Sequence, residues 1–265
     1  MNKSEKYSEP VYNLSQNDIV YEDENILIVD KKQNVTVHPR FDDEKQETGR
    51  EIYLVDMIIG YLYKKGEYDP ENENSFSPAL CNRLDRNTAG LIVAAKNAES
   101  LRIMNKKIKD RELKKIYYCE VFGTFEKKSG VLRDFLYKDR SNNKVFIFSS
   151  REEAIKKMKI KYADDIKSIV TKYTVCAEKD GRSLLLVELI TGRTHQIRAH
   201  LAYYGHPIVG DGKYGHVRDK KELRMHQSLY SYSIEFDFSA DSGLLSYLNG
   251  RKFCGKGASF MEKYR

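Results

Sequence analysis

Apolar and polar positions along this chain change over in short blocks. After a polar opening arm, Met1 to about Gln16, the first apolar block is Ile26-Leu27-Ile28-Val29, the length of a strand. Val35-Thr36-Val37 follows across the polar turn Lys31 to Asn34, which predicts an early hairpin. Phe41 to Glu51 is mostly polar. Ile52, Val55, Ile58, Ile59 and Leu62 then recur on one helical face, and Gly66 and Asp69-Pro70 break that pattern before a loop from Glu71 to Ser77.

Leu91 to Ala95 reads as a buried strand. Asn97 is placed to cap a helix whose Leu101, Met104 and Ile108 share a face while Lys106, Lys107 and Lys109 lie on another. Ile116 to Phe122 is a strand ending at Gly123. Ser150-Arg151-Glu152-Glu153 matches a capping box, although Ala154 to Val170 lacks periodicity. Val170 to Val175 and Ser183 to Ile190 are strands joined through Lys179-Asp180-Gly181. A short helix runs through Ile197 and Leu201 to Tyr204, with Gly205 as its stop, and Leu229 to Phe238 is a last strand. Many short strands with a few interspersed helices predict a mixed α+β fold rather than a doubly wound sheet. No internal repeat, low-complexity tract or Gly-rich phosphate loop is present, which argues against a nucleotide cofactor.

Composition adds a partner class. The 265 residues can bury a sizeable core, and 46 Lys and Arg against 39 Asp and Glu give a net charge of +7, a modest excess that favours a polyanion. A mean hydropathy of -0.64 fits a soluble, heavily charged surface. Cys81, Cys119, Cys176 and Cys254 form no C-x-x-C pair and read as reduced, mostly buried thiols, with no metal implied. The polar N-terminus and the lack of a long apolar run predict no signal peptide, no membrane span and a cytoplasmic location.

Three clusters could carry chemistry. The first, Asn82 to Gly90, is a polar loop entering an apolar strand, with Asp85 between Arg83 and Arg86. Flanking positive charge favours an ionised carboxylate, ready as nucleophile or base, though the tripeptide Arg83-Leu84-Asp85 taken alone reads first as an ordinary ion-pair turn, which is common on protein surfaces. The second runs from Leu189 to Leu201 and on through Tyr204 to Asp211. His195 and His200 are five apart, off a common helical face, which argues against a metal, whereas Arg193, Thr194, His195, Gln196 and Arg198 are donors suited to phosphate, ribose or base edges. Solvated polar groups at a helix start are the alternative. The third, Lys114-Lys115-Ile116-Tyr117-Tyr118, leads basic residues into a strand whose adjacent tyrosines face opposite sides.

In this order the clusters resemble the RluA-type family of pseudouridine synthases. The family's H-R-L-D-x-x-T-S-G-L is matched by Asn82 to Leu91, its K-x-Y by Lys115 to Tyr117, its G-R-T-H-Q-I-R-x-H-L by Gly192 to Leu201, and its G-x-P-I-x-G-D-x-x-Y-G by Gly205 to Gly215. The resemblance covers roughly Ile19 to Phe253. It implies a catalytic domain over residues 17–265 built on a bent, mostly antiparallel sheet with flanking helices and a central RNA-binding cleft. It implies that uridine in a structured RNA, ribosomal or transfer, is isomerised without a cofactor by a monomer. Asp85 would be the nucleophile, Arg193 its partner, Tyr117 the residue against the uracil, and Arg83 the side chain that enters the RNA as the base leaves. Arg86, Lys114, Lys115, Thr194, His195, Gln196 and Arg198 would be RNA contacts, joined by Lys106, Lys107, Lys109 and Arg111 on phosphates.

The departures are Asn82 for His, Ala89 for Ser, and Lys32-Gln33-Asn34 where the family often has Pro-Ala-Gly. Only about twenty residues precede the first strand, so the S4 RNA-binding module of many relatives is not expected here. A hydrolase built on carboxylates such as Asp85 and Asp211 finds no support in the spacing. A scaffold that binds RNA without turning it over is the other rival.

Overall fold

Blocks of four to seven aliphatic residues are too short to bury themselves as helices and settle as strands, while the longer stretches with one apolar face form the helices that cover them. The structure, a computed structural model, describes residues 3–9, 12, 14–39, 52–72, 76–159, 163–215 and 227–264. The polar stretch Phe41 to Glu51 lies outside the described residues, as does the middle of the loop Glu71 to Ser77.

In chain order the elements are α1 (Lys3–Ser8), β1 (Ile19–Glu22), β2 (Ile26–Lys31), α2 (Leu54–Lys64), β3 (Ala79–Leu80), β4 (Ala89–Ala95) and α3 (Ala98–Lys109). Then come β5 (Leu113–Phe122), β6 (Ser129–Asp139), β7 (Lys144–Phe148), α4 (Arg151–Met158), β8 (Ile166–Lys179), β9 (Arg182–Leu189) and α5 (Gln196–Tyr203). The chain closes with β10 (Leu229–Phe236), β11 (Lys252–Cys254) and α6 (Ser259–Glu262). The fold is α+β with antiparallel strand pairing, as the sequence predicts. It divides into two compact units, one formed by Met1–Leu113 with Ser233–Lys256 and the other by Lys114–Tyr232 with Gly257–Arg265.

In the first unit β2 pairs with β1 on one side and β4 on the other, β3 also lies along β4, and β11 pairs with the second half of β10. Ile26, Ile28, Leu91 and Val93 pack against Ile103 and Met104 of α3 and against Ile234, Phe236, Leu245 and Leu248. Asn97 caps α3 by accepting from Ser100 N at 2.9 Å, so the predicted helix start holds. The predicted hairpin does not. The only bridge made by 35–37 among the described residues is an isolated parallel one, Thr36 to Tyr53. Its cause is Lys31, whose buried ammonium gathers the carbonyls of Lys32 and Val35 at 2.9 Å each and curls the chain away from β2.

In the second unit the antiparallel order is β5-β9-β8-β6-β7. Ala199 of α5 packs with Leu136, Val145, Ile147 and Ile169, whereas Ala154 of α4 packs with Phe148 and Ile166, so the two helices cover different sets of strand residues. The capping box at Ser150 forms half as expected: Ser150 Oγ accepts from Glu153 N at 3.1 Å, but the Glu153 carboxylate reaches Ser149 N and Oγ. All four cysteines are free thiols, and only Cys119 is buried; Cys176 and Cys254 are exposed on their strands and Cys81 is intermediate, which corrects the expectation of mostly buried thiols. Among the described residues no helix is long and apolar enough to cross a membrane.

The opening segment is anchored to α2. Tyr7 and Tyr12 are buried with Ile59, their rings edge to face at 5.8 Å, and Lys6 Nζ meets Asp56 Oδ1 at 2.7 Å. Gly60 is what lets this segment approach, because a Cβ there would overlap the Tyr12 carbonyl oxygen. A helix-interior Gly→Ala change ordinarily stabilises by about 1 kcal/mol. Gly60→Ala is expected to do the reverse, lowering Tm and speeding proteolysis near Tyr12; a Tm at or above wild type would show that Tyr12 does not rest on α2.

Candidate active site

In the first unit the Asp85 turn is fastened on both sides. Cys81 N donates to Val93 O at 2.8 Å, and Asn82, buried, accepts from Val93 N at 2.8 Å and donates to Leu91 O at 3.4 Å. This extends the β3 edge along β4 up to the turn. Thr88 N closes the turn on Asp85 O at 3.0 Å, and Gly90 follows at φ +113°, a backbone conformation that L side chains rarely adopt. Asp85 is half-buried, while Arg83 and Arg86 are exposed on either side of it. Arg83 stands close enough to His38 for its charge to add to burial in lowering the His38 pKa.

Behind the turn lies a residue that pattern reading placed in a polar loop. Lys31 is 2% exposed, and its Nζ donates to Lys32 O, Val35 O and, at 3.0 Å, Arg86 O. Three carbonyls thus take the three N–H groups of the ammonium. Burial pushes its pKa down to about 7, and the nearby Asp85 charge opposes that shift. One clue was in the sequence: Lys31 follows the apolar block Ile26 to Val29 after the single residue Asp30, on the same strand face as Val29, where a lysine is buried only if partnered. Asn34, standing where the family often has Gly, has φ +64°, and Asn is among the non-glycine residues that tolerate this region best.

In the second unit Tyr117 is buried on β5 opposite Val187 of β9, with Lys115 half-buried and Lys114 exposed ahead of it. Arg193 is exposed in the loop before α5 and Thr194 is half-buried. His195 precedes the helix at φ +53°, and its Nδ1 lies 2.9 Å from Tyr214 Oη, which itself accepts from Val145 N at 2.9 Å.

Three predicted RNA donors face inward: Lys107 of α3, 2% exposed, is spent on Glu112 at 2.7 Å and Ala240 O at 2.9 Å, and the other two are in the second unit. Arg198 grips Asp211 through Nε at 2.7 Å and a terminal nitrogen at 2.8 Å, both residues buried, with its guanidinium 5.2 Å from the Tyr214 ring centre. Burial raises the Asp211 pKa, but Arg198 and the N–H groups of Lys213 and Tyr214 outweigh it and hold the carboxylate below its usual range. The pair joins the two halves of the second sequence cluster. Gln196, 2% exposed, spends its carboxamide on Thr191, Arg193, Val170 and Thr171. Among the described residues no group of three or more His, Cys, Asp or Glu side chains is arranged for a metal.

Two outcomes test this geometry. The folded Lys31 ammonium gives up its proton near pH 7 and the unfolded one near 10.5, so between those values the unfolded chain holds the extra proton and stability rises with pH. Lys31→Met should flatten that rise in denaturant titrations at pH 7 and 9, and an unchanged slope would remove Lys31 as its source. Asp211→Asn leaves a buried guanidinium without its counter-charge and should cost about 3–5 kcal/mol at neutral pH. A loss below about 1 kcal/mol would show the pair to be solvated in effect.

A profile of the RNA pseudouridylate synthase family matches residues 25–203. Over 226 residues, 84% of this chain, the sequence is 30% identical to the ribosomal large subunit pseudouridine synthase D of Borreliella burgdorferi, and the chain covers 62% of that protein's length. It is 32% identical over 239 residues, 88% of the chain and 69% of the relative, to an uncharacterized RNA pseudouridine synthase of Mycoplasma capricolum. Among solved structures, the human RNA pseudouridylate synthase domain containing 4 aligns with a TM-score of 0.67 at 17% identity, over 92% of this chain and 90% of that one. The human domain containing 1 aligns at 0.63 and 20% identity, over 96% and 95%. These two share the fold. The profile alone spans Asp85, Tyr117 and Arg193 and covers more than half of the sequence, and the chain belongs to the RNA pseudouridylate synthase family.

Proposed function

We propose that this protein converts uridine to pseudouridine within RNA, with Asp85 as nucleophile. The observation that carries the reading is the Asp85 turn itself: a half-buried carboxylate between two exposed arginines, its backbone tied to β4 through Asn82 and to the buried Lys31 through Arg86 O. A nucleophile must be held where its substrate arrives, and a turn fixed on both sides achieves that.

Asp85 attacks the target nucleoside and the bond from N1 to C1′ breaks. The uracil turns and is rejoined through C5 as the bond to Asp85 breaks; the C5 proton passes to a base and then to solvent while N1 takes up a proton from solvent, so that substrate and product are isomers. Tyr117 lies against the uracil and relays that proton, and Arg193 supplies positive charge to the reaction. No oxidant, reductant or cofactor is called for. Arg83, Arg86, Lys114, Thr194 and His195 meet the RNA, with Lys115 at the strand entrance. Gln196 and Arg198 are assigned to the protein's own scaffold instead, because their donors are engaged within it. The RNA is ribosomal in this reading, supported by the large-subunit synthase among the relatives, and the enzyme is a cytoplasmic monomer.

The test uses ribosomal and transfer RNA fragments carrying uridine tritiated at C5. Wild type should release tritium with no added cofactor, and Asp85→Asn should lose at least about 10³-fold in rate, the scale on which a covalent catalyst's loss is felt. Silence from wild type on RNAs that it demonstrably binds would replace the isomerase with an RNA-binding role.

A further inference from the structure

Arg193 is exposed, yet the loop carrying it is tied to a buried chain of hydrogen bonds that runs beneath α5. Arg193 N donates to Gln196 Oε1 at 3.1 Å, and Thr191 Oγ1 donates to the same oxygen at 2.9 Å. Gln196 Nε2 donates to Val170 O at 3.1 Å and to Thr171 Oγ1 at 3.0 Å. Thr171 Oγ1 stands 2.9 Å from His200 Nδ1, and His200 Nε2 stands 2.9 Å from Asp134 Oδ2, which also accepts from Tyr204 Oη at 2.8 Å. Thr171 and His200 are fully buried, Gln196 is 2% exposed and Asp134 is 6% exposed.

The direction of every bond in this chain can be worked out. Arg193 N–H can only donate and Val170 C=O can only accept, so the Gln196 carboxamide has one possible orientation. Thr171 Oγ1 therefore accepts a hydrogen bond from Gln196 and donates one to His200 Nδ1. That leaves Nε2–H to donate to Asp134, the neutral tautomer that burial favours. Reversing any member would set two donors or two acceptors against each other in a buried interior, where an unmade bond costs most.

We infer that Gln196 and Thr171, oriented by His200 and Asp134, are positioning residues that fix the Arg193 loop for the reaction. This rests on the proposed role of Arg193. Gln196 is then a positioning residue rather than an RNA contact, and Thr171, His200 and Asp134, on a strand, a helix and a second strand far apart in sequence, belong to the same device. A fixed loop matters because a misplacement of about 1 Å in a charge aimed at the reacting groups can cost about 10²-fold in rate.

Thr171→Val keeps the shape and removes the hydroxyl, and Thr171→Ser keeps the hydroxyl. Tritium release, RNA affinity and hydrogen exchange at the Arg193 amide are measured on wild type and both variants. The valine variant is expected to lose about tenfold to a hundredfold in turnover with unchanged RNA affinity, and to exchange the Arg193 amide at least about tenfold faster. The serine variant should restore both. In an Arg193→Lys background the valine change should add little, since both act through one side chain. Full additivity, or a turnover loss with Arg193 amide protection intact, would overturn the inference, as would wild-type turnover in Thr171→Val. If wild type itself releases no tritium, the proposed function fails, while the amide-exchange comparison still decides whether this chain fixes the loop.

Discussion

A single buried ammonium, that of Lys31, holds the Asp85 turn from behind. A lysine carried into the interior must find acceptors for its N–H groups or lose its charge, and the three carbonyls it finds come from Lys32, Val35 and Arg86. Two of them belong to the chain just after β2 and the third to the turn before β4, so one side chain fixes how both segments leave adjacent strands. The turn bearing Asp85 has its position because that requirement is met. The same requirement explains why Val35 to Val37 do not return along β2 as a hairpin.

The second unit uses the same physics with other groups. Its exposed loop rests on a carboxamide, a hydroxyl, an imidazole and a carboxylate in series, and the segment after α5 is fastened by the Arg198–Asp211 pair. Both motif regions therefore place exposed cations on backbone that buried polar bonds define. Buried polar networks contribute less to net stability than apolar packing would, but once every partner is satisfied they favour one arrangement over its neighbours. In each region the residues nearest solvent are those assigned to RNA, and the residues beneath them are those that cannot move without breaking several bonds.

How much of this the sequence disclosed follows from which interactions are local. β2, β4 and β5 were legible as dense apolar blocks, and α3 and α5 were legible because their caps and apolar faces lie within a few residues of each other. β6 and β7 were not read at all. Ser129 to Asp139 mixes charged residues with apolar ones, since Val131 and Arg133 stand exposed on one side while Asp134 and Leu136 are buried, so neither a clean alternation nor a continuous run appears. Arg198 and Gln196 looked like donors for RNA because composition cannot distinguish a donor facing solvent from one spent on Asp211 or on the Arg193 backbone. Those partners lie 13 and 3 residues away, and only the fold shows which separation matters.

At three positions that depart from the family pattern, what holds the turn is a bond or a backbone angle rather than bulk. Asn34 adopts φ +64° where the family often has Gly, a region open to Asn at modest strain and barred to most others. Lys32, in place of Pro, still offers the carbonyl that Lys31 needs, and that is the atom the turn depends on. Asn82, in place of His, presents a donor and an acceptor on adjacent atoms and so bonds both Leu91 O and Val93 N, continuing the ladder along β4. Lys32 thus supplies an acceptor, Asn82 a donor and an acceptor, and Asn34 a backbone angle to the structure that holds Asp85. A change at Asn82 that removed its donor or its acceptor would therefore be felt along the turn that bears Asp85.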